Sequence, residues 1–487
     1  MTDIPKGWIH REGMGLLTDL YELTMMAGYF KEGMGDRQAC FEYFFRSLPP
    51  ETGFAVTAGL DSFLDYLSNL RFTKEDIDHL RSVGLFEDSF LDFLRDFRPS
   101  CTVSAIPEGT LVFPNEPIVQ VEGDLIEVQL LETALLNFLN YSTLIASKAA
   151  RICQAANGDP VMEFGLRRAH GPDGGVSGSR AAYIGGCSAT SNVLAGRLFD
   201  LPVSGTHAHS WVMSYDSELE SFRTLAKQFP NNCIFLVDTY DTLVSGVPNA
   251  IQVFREMREE GLDFRPAIRL DSGDLSKLSK AAHKMLVKAG FEDPLIVASG
   301  DLDENLIADL KRQGAKINSW GVGTKLITAW DSPSFNGVYK LVAVQNGPDW
   351  EPRIKISSNI AKTTDPGRKR VIRYYNSSDE PIGDVLYDSE EEIPWRGSII
   401  GRERTHLDLP AKIDGAARGE RLLEEVFVDG VRTRSPKSAR DLRQRVSDQI
   451  QSMPEEYKRL RNPEIYPVLL SRNLVKLKGS LLAAEIR

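Results

Sequence analysis

From Val161 to Lys325 the chain repeats one pattern, in which a short apolar run breaks into a polar, Gly-rich loop and then into helical periodicity. Val161-Met162-Glu163-Phe164 runs into Gly165 and the cations Arg167 and Arg168. Pro202-Val203-Ser204-Gly205 delivers Thr206, His207 and His209 to the head of a helix expected to begin near Ser210. The run 232–237 ends in Asp238-Thr239-Tyr240-Asp241, and the run 265–270 in Asp271-Ser272-Gly273-Asp274. The runs 294–298 and 317–320 end in Ser299-Gly300-Asp301 and Gly321-Val322-Gly323-Thr324. Helical patterns over 274–289 and 303–313 stop at Gly290 and Gly314, because glycine accepts the left-handed backbone that ends a helix.

Alternating strands and helices of this kind predict a parallel sheet with helical crossovers, as an open doubly wound sheet or as a closed barrel. In both architectures the carboxyl ends of the strands carry the active site, and helix amino termini there attract anions. Six consecutive loops rich in Gly, Asp, Ser, Thr and Arg point to a phosphate-handling enzyme rather than a structural barrel. A histidine at such a strand end serves as nucleophile or proton carrier.

At 487 residues the chain exceeds one ordinary core, so two or three domains are expected. The predicted division is an N-terminal α/β domain over 1–125, a catalytic barrel over 126–340, and a segment 341–487 that partly completes the first domain. Residues 101–123 read as short strands broken by Pro-Glu-Gly and Pro-Asn-Glu-Pro turns, and a long apolar helix follows over about 126–156. After Gly337, runs 338–344 and 353–356 read as strands, 379–392 as acidic turns and 438–461 as a charged helix. The net charge of −11 argues against a nucleic-acid or membrane-surface partner, while leaving room for a small anion held by local arginines. Five scattered cysteines without a Cys-x-x-Cys pair suit reduced thiols in a cytoplasm and no structural zinc. The polar start, MTDIPKGWIHREGMG, does not read as a secretory signal, and no segment reaches membrane-spanning length.

A first helix, expected over 16–30, holds Thr-Asp-Leu-Tyr-Glu-Leu-Thr-Met from Thr18 to Met25. After it come, in order, Phe-Gly-Leu-Arg-Arg-Ala from Phe164, Ser-Asn-Val-Leu-Ala-Gly from Ser191, and Gly205-Thr206-His207-Ala208-His209-Ser210. Val-Asp-Thr-Tyr-Asp from Val237, Arg-Leu-Asp-Ser-Gly-Asp from Arg269 and Gly321-Val322-Gly323-Thr324 follow. With Lys355-Ile356-Ser357-Ser358-Asn359, Lys362-Thr363 and Pro366-Gly367-Arg368-Lys369 behind them, the series resembles the nicotinate phosphoribosyltransferases across most of the chain.

The resemblance implies an irregular α/β barrel of the type II phosphoribosyltransferase kind, with a second α/β domain built from N-terminal and post-barrel segments. It implies a homodimer whose active site draws on both subunits. The implied reaction forms nicotinate mononucleotide and pyrophosphate from nicotinate and phosphoribosyl diphosphate, an entry to NAD, with ATP hydrolysis coupled through a phosphohistidine and Mg²⁺ as cofactor. Carried onto this chain, the phosphate-accepting histidine is His209, while His207 fills a variable position and is expected to cap a helix or bind backbone. Phe164 and, from the opposite subunit, Tyr21 would sandwich the pyridine ring; Arg269 and Thr206 would hold its carboxylate. Arg167, Gly300, Asp301, Gly323 and Thr324 would meet the phosphates. Asp238 and Asp271 are Mg²⁺ candidates, with helix N-caps as the plain alternative.

Gly171-Pro172-Asp173-Gly174-Gly175 lacks the Gly-Lys-Ser/Thr ending of a P-loop, so ATP is not expected there. The basic run from Lys362 to Arg373 reads equally as a solvated face or as a closure over phosphates. Competing readings are a nicotinamide or quinolinate phosphoribosyltransferase and a non-catalytic binding protein on the same scaffold.

Overall fold

The computed structural model describes residues 13–358, 362–404 and 406–485, so most of the polar start and Asn359 lie outside the described residues. The chain divides into two compact units: residues 148–333, and residues up to 147 together with those from 334 onward. The first boundary falls inside one helix, Glu132–Ala156, and not at 126. The long helix expected over 126–156 is two pieces, since Leu125–Leu130 precedes it as a separate helix.

The unit 148–333 holds six parallel strands: β1 (Val161–Glu163), β2 (Ala189–Thr190), β3 (Phe235–Leu236), β4 (Ala267–Leu270), β5 (Leu295–Ala298) and β6 (Ser319–Val322). Five stand at the expected apolar runs, whereas β2 is not among them and the strand expected at 202–206 is reduced to a single bridge at Val203. The strand order across the sheet is β2-β1-β6-β5-β4-β3, so the chain steps from β1 out to the β2 edge, enters again at the opposite edge with β3 and works back to β6 beside β1. Val203 adds a single parallel bridge to Thr190 beside β2. That leaves a gap in the ladder between Val203 and β3, and a side chain spans it: the Leu236 N–H on β3 donates to His207 Nε2 at 3.1 Å. Met162, Ala189, Ile234, Ala267 and Val297 form a buried cluster against which Phe164 packs.

Helices return the chain between strands, and their caps are those the loops encode. Asn192, Asp274 and Asp303 accept the Ala195, Lys277 and Leu306 N–H groups at 3.1, 2.9 and 2.8 Å. Leu275–Lys288 and Glu304–Arg312 end before Gly290 and Gly314, whose φ values of 88° and 74° are left-handed. Gly171 to Gly175 form the opening turns of a helix, Gly171–Ile184, and not a loop.

The other unit holds a seven-stranded antiparallel sheet in which Gln38–Phe45 pairs with Val119–Asp124 on one side and with Gly337–Asn346 on the other. N-terminal and post-barrel segments therefore share one sheet, as their texture suggests. A six-stranded sheet is built from residues 369–470. Several expectations need correction here. The first helix is Leu20–Lys31, after a 3-10 turn at Met14–Leu16, because Asp19 is extended. Residues 353–357 carry no strand; the partner of Gly337–Asn346 is the preceding Asp349–Pro352. The acidic stretch 379–392 contains a strand, Pro381–Asp388, whose inward positions outweigh its turn-like composition. The charged helix is only Ala439–Ser452, since Pro454 cannot continue it.

The basic run is not a solvated face at two of its positions. Lys369 is buried on Glu42 at 2.8 Å, and Arg373 is buried on Asp384 at 2.7 Å with Phe113 and Tyr466 against its guanidinium. No helix among the described residues is long and apolar enough to cross a membrane.

Candidate active site

The carboxyl ends of β1 and β4 to β6 open on a cavity of about 540 Å³. Phe164, Arg167, Thr206, His209, Arg269, Asp271, Gly300, Asp301, Gly323 and Thr324 all line it. Ten residues singled out from sequence, spread over 161 positions, thus converge on one space. Asp238 stands behind that wall, and Tyr21 belongs to the other unit, where its side chain is 46% exposed on the first turn of Leu20–Lys31. The loops also bring Arg168, Ser191, His207 and Ser299 to the wall.

Phe164 follows the last residue of β1, and its N–H donates to Val322 O on β6 at 2.8 Å. A Cβ on Gly321 would lie 2.6 Å from two carbons of the Phe164 ring, so β6 needs glycine there for the ring to seat. Gly300 has φ +110° and would place a Cβ 2.9 Å from Asp271 O; only glycine lets the β5 loop lie against the β4 loop.

Arg269 sits within β4, its side chain 13% exposed. Its Nη1 donates to Thr206 Oγ1 and, at 3.2 Å, to His207 O; Nη2 stands 3.6 Å from Asp271 Oδ1. Its Nε is buried without a hydrogen-bond partner. Burial pulls the guanidinium below its usual pKa, opposed by Asp271 and Asp238. Asp271 also accepts a hydrogen bond from Ser299 Oγ, which ties β5 to β4.

His209 opens the helix His209–Met213, one residue earlier than expected, and its Nε2 lies 3.3 Å from Asp238 Oδ1. The other oxygen, Asp238 Oδ2, accepts from the Asp271 N–H at 2.8 Å and from Ser272 Oγ at 2.7 Å. Neither aspartate caps a helix; Asp241 and Asp274 do that. The Asp238 carboxylate accepts from Nε2, which assigns the imidazole proton to Nε2 and leaves the Nδ1 lone pair as the basic one. Sequence reading had no signal for this pairing, because the two residues are 29 positions apart, one opening a helix and the other in the loop after β3.

His207 is set differently. Nε2 accepts from backbone, so Nδ1 carries the proton, donated to Ala208 O at 3.2 Å. Burial lowers its pKa, and the neighbouring Arg269 and His209 act in the same direction. It is a neutral, backbone-bound imidazole.

A parallel α/β unit whose strand ends open on a cavity lined by Arg167, Arg168 and Arg269 is of the α/β enzyme class and suits a small anionic ligand. Sequence models of the nicotinate phosphoribosyltransferase (NAPRTase) N-terminal domain, family and C-terminal domain match residues 16–140, 160–379 and 368–478. The chain is 46% identical over 465 residues to the nicotinate phosphoribosyltransferase of Bacillus subtilis (strain 168), covering 95% of this chain and 94% of that one. It is 34% identical to the nicotinate phosphoribosyltransferase of Homo sapiens, covering 96% and 97%. The crystal structure of human nicotinic acid phosphoribosyltransferase superposes with a TM-score of 0.85 at 33% identity, covering 95% of this chain and 99% of that one. A nicotinate-nucleotide pyrophosphorylase from Pyrococcus furiosus shares the fold, at TM-score 0.69 and 22% identity over 93% and 98%. This chain belongs to the nicotinate phosphoribosyltransferase family.

Proposed function

We propose that the chain forms nicotinate mononucleotide in NAD biosynthesis: the pyridine nitrogen of nicotinate attacks carbon 1 of phosphoribosyl diphosphate, and pyrophosphate leaves with the electrons of the broken C–O bond. The observation that carries this reading is Arg269. A guanidinium at the cavity wall, its side chain 13% exposed and its Nη2 standing 3.6 Å from Asp271 Oδ1, is loosely paired and can take a second carboxylate. Nicotinate supplies one; nicotinamide does not. Phe164 offers one ring face, and Tyr21 of a partner subunit the other, which its exposure permits. Arg167 and the loops Gly300-Asp301 and Gly323-Thr324 receive the phosphates.

The donor set fits Mg²⁺ as a phosphate-bound ion. Asp271 is 32% exposed on the cavity, whereas both Asp238 oxygens are engaged. Among the described residues no group of three or more His, Cys, Asp or Glu side chains is arranged around a metal position, so substrate phosphates would complete the shell. Asp271 would hold such an ion, directly or through water, and its charge would offset that of the pyrophosphate. Asp238 then acts on His209 and not on the metal. In the coupled step His209 Nδ1 takes the γ-phosphoryl group of ATP with ADP leaving, and water later releases phosphate. The enzyme works as a homodimer in the cytoplasm.

Steady-state turnover with nicotinate, nicotinamide and quinolinate, each with and without ATP, tests the reading. Nicotinate should be used with ADP formed in step; comparable efficiency with nicotinamide would promote the amide-using alternative.

A further inference from the structure

A carboxylate used by no step of that reaction lies closed off beside the cavity. Glu163, the last residue of β1, is fully buried. Its Oε1 accepts the Gly165 N–H, and its Oε2 accepts from Thr190 Oγ1 at 2.6 Å and Ser179 Oγ at 2.9 Å. Each donor comes from a different element: the turn after β1, the end of β2, and the helix Gly171–Ile184. Asn192 widens the node. Its N–H donates to Thr190 Oγ1 at 3.0 Å, and its Nδ2 to Gly175 O at 3.1 Å and Ser179 Oγ at 3.2 Å, while its Oδ1 caps the helix Val193–Phe199. Packing alone does not call for a charge here, since an apolar side chain of similar volume avoids the desolvation that a buried carboxylate suffers. What the carboxylate does that a leucine cannot is fix the direction of three donors at once. One of them, Gly165, is pinned from the other side as well: a Cβ there would lie 2.5 Å from Ile327 and 2.9 Å from Glu163 Oε1.

We infer that Glu163 is a positioning residue, its carboxylate clamping the turn 164–168 to β2 and the following helix so that Phe164 and Arg167 meet ring and phosphate in register. The inference rests on the transferase reading, and turnover of nicotinate by the unaltered protein tests that reading separately. For the clamp, the three quantities to compare are KM for nicotinate, KM for phosphoribosyl diphosphate, and the extent of His209 labelling by ATP. Glu163→Leu should raise both KM values about ten-fold or more, with labelling within about two-fold of the unaltered protein, because Asp238 and not Glu163 holds His209. Glu163→Gln should restore both KM values to within about three-fold, since its amide oxygen still accepts from Gly165 and its N–H groups can donate to the two hydroxyls. Unchanged KM values with kcat and labelling reduced in equal proportion would mean only a smaller folded fraction, and would overturn the inference. Should Glu163→Leu not fold, Ser179→Ala removes one donor in its place. It is expected to raise KM for phosphoribosyl diphosphate about two- to four-fold at constant kcat, and an unchanged KM there would overturn the inference as well.

Discussion

Replacing Asp238 by asparagine should silence His209 while leaving the fold in place. In the native arrangement the carboxylate accepts from Nε2, which keeps the lone pair on Nδ1, the atom proposed for phosphoryl attack. An asparagine keeps an oxygen for the Asp271 N–H and Ser272 Oγ, so β3 and β4 stay tied, and its amide then faces the histidine. That amide is a donor; the imidazole answers by moving its proton to Nδ1, and the nucleophile is lost. A hydrogen bond to a charged group contributes about 1.5–3 kcal/mol, which is about ten- to a hundred-and-fifty-fold in phosphorylation rate. The 3.3 Å separation and the 39% exposure of His209 favour the lower half of that range. Rapid-quench labelling with γ-labelled ATP measures the rate; the label should be acid-labile and base-stable, absent in His209→Ala and retained in His207→Ala. Labelling of Asp238→Asn at the native rate, or label surviving in His209→Ala, would refute the pairing and the nucleophile respectively.

Arg269→Ala should lose most activity on nicotinate, and the native protein should prefer nicotinate over nicotinamide by about 2–4 kcal/mol, or about thirty- to a thousand-fold in kcat/KM. Tyr21→Ala should raise KM for nicotinate with the fold intact, and mixing it with His209→Ala subunits should recover activity; no recovery in exchanged dimers would count against a shared site. Gly321→Ala drives a methyl into the Phe164 ring, so KM for nicotinate should rise and stability fall by about 1–3 kcal/mol, read from paired kinetics and thermal melts. Glu22 is buried with Oε1 unpartnered and Oε2 on Gln129, and burial pushes its pKa from 4.5 up to about 6. The folded state therefore holds that proton longer than the unfolded one: its contribution is full below pH 4.5 and is lost as pH rises through 6, about 2 kcal/mol at most. Glu22→Gln should then unfold at higher denaturant than the native protein at pH 8 and at the same denaturant at pH 4.

What the sequence by itself determined lies close along the chain. Apolar runs, glycine stops and Asp or Asn caps are read over a few residues, and five of the six strands of the parallel unit stand within a few positions of where those signals put them. Ala189–Thr190 carries no such signal, and the run 202–206 forms only one bridge. The loops at the strands' carboxyl ends are polar and Gly-rich and mark that edge as the site; the resemblance to the family then singled out Phe164, Thr206, His209, Arg269, Gly300 and Gly323, which the structure brings to one cavity. Pro381–Asp388 shows the limit: its local composition is that of a turn, and only burial against Lys369–Tyr375 makes it a strand. Tertiary structure alone decided the rest. That Asp238 serves His209, that Glu163 binds Gly165, Ser179 and Thr190, and that His207 spans the break in the sheet depend on which strand ends up beside which. So does the pairing of Tyr43 with Tyr339, nearly three hundred residues away. A side chain's periodicity records which face it shows, but not what will face it; partners are chosen by long-range packing, which no short window of sequence contains.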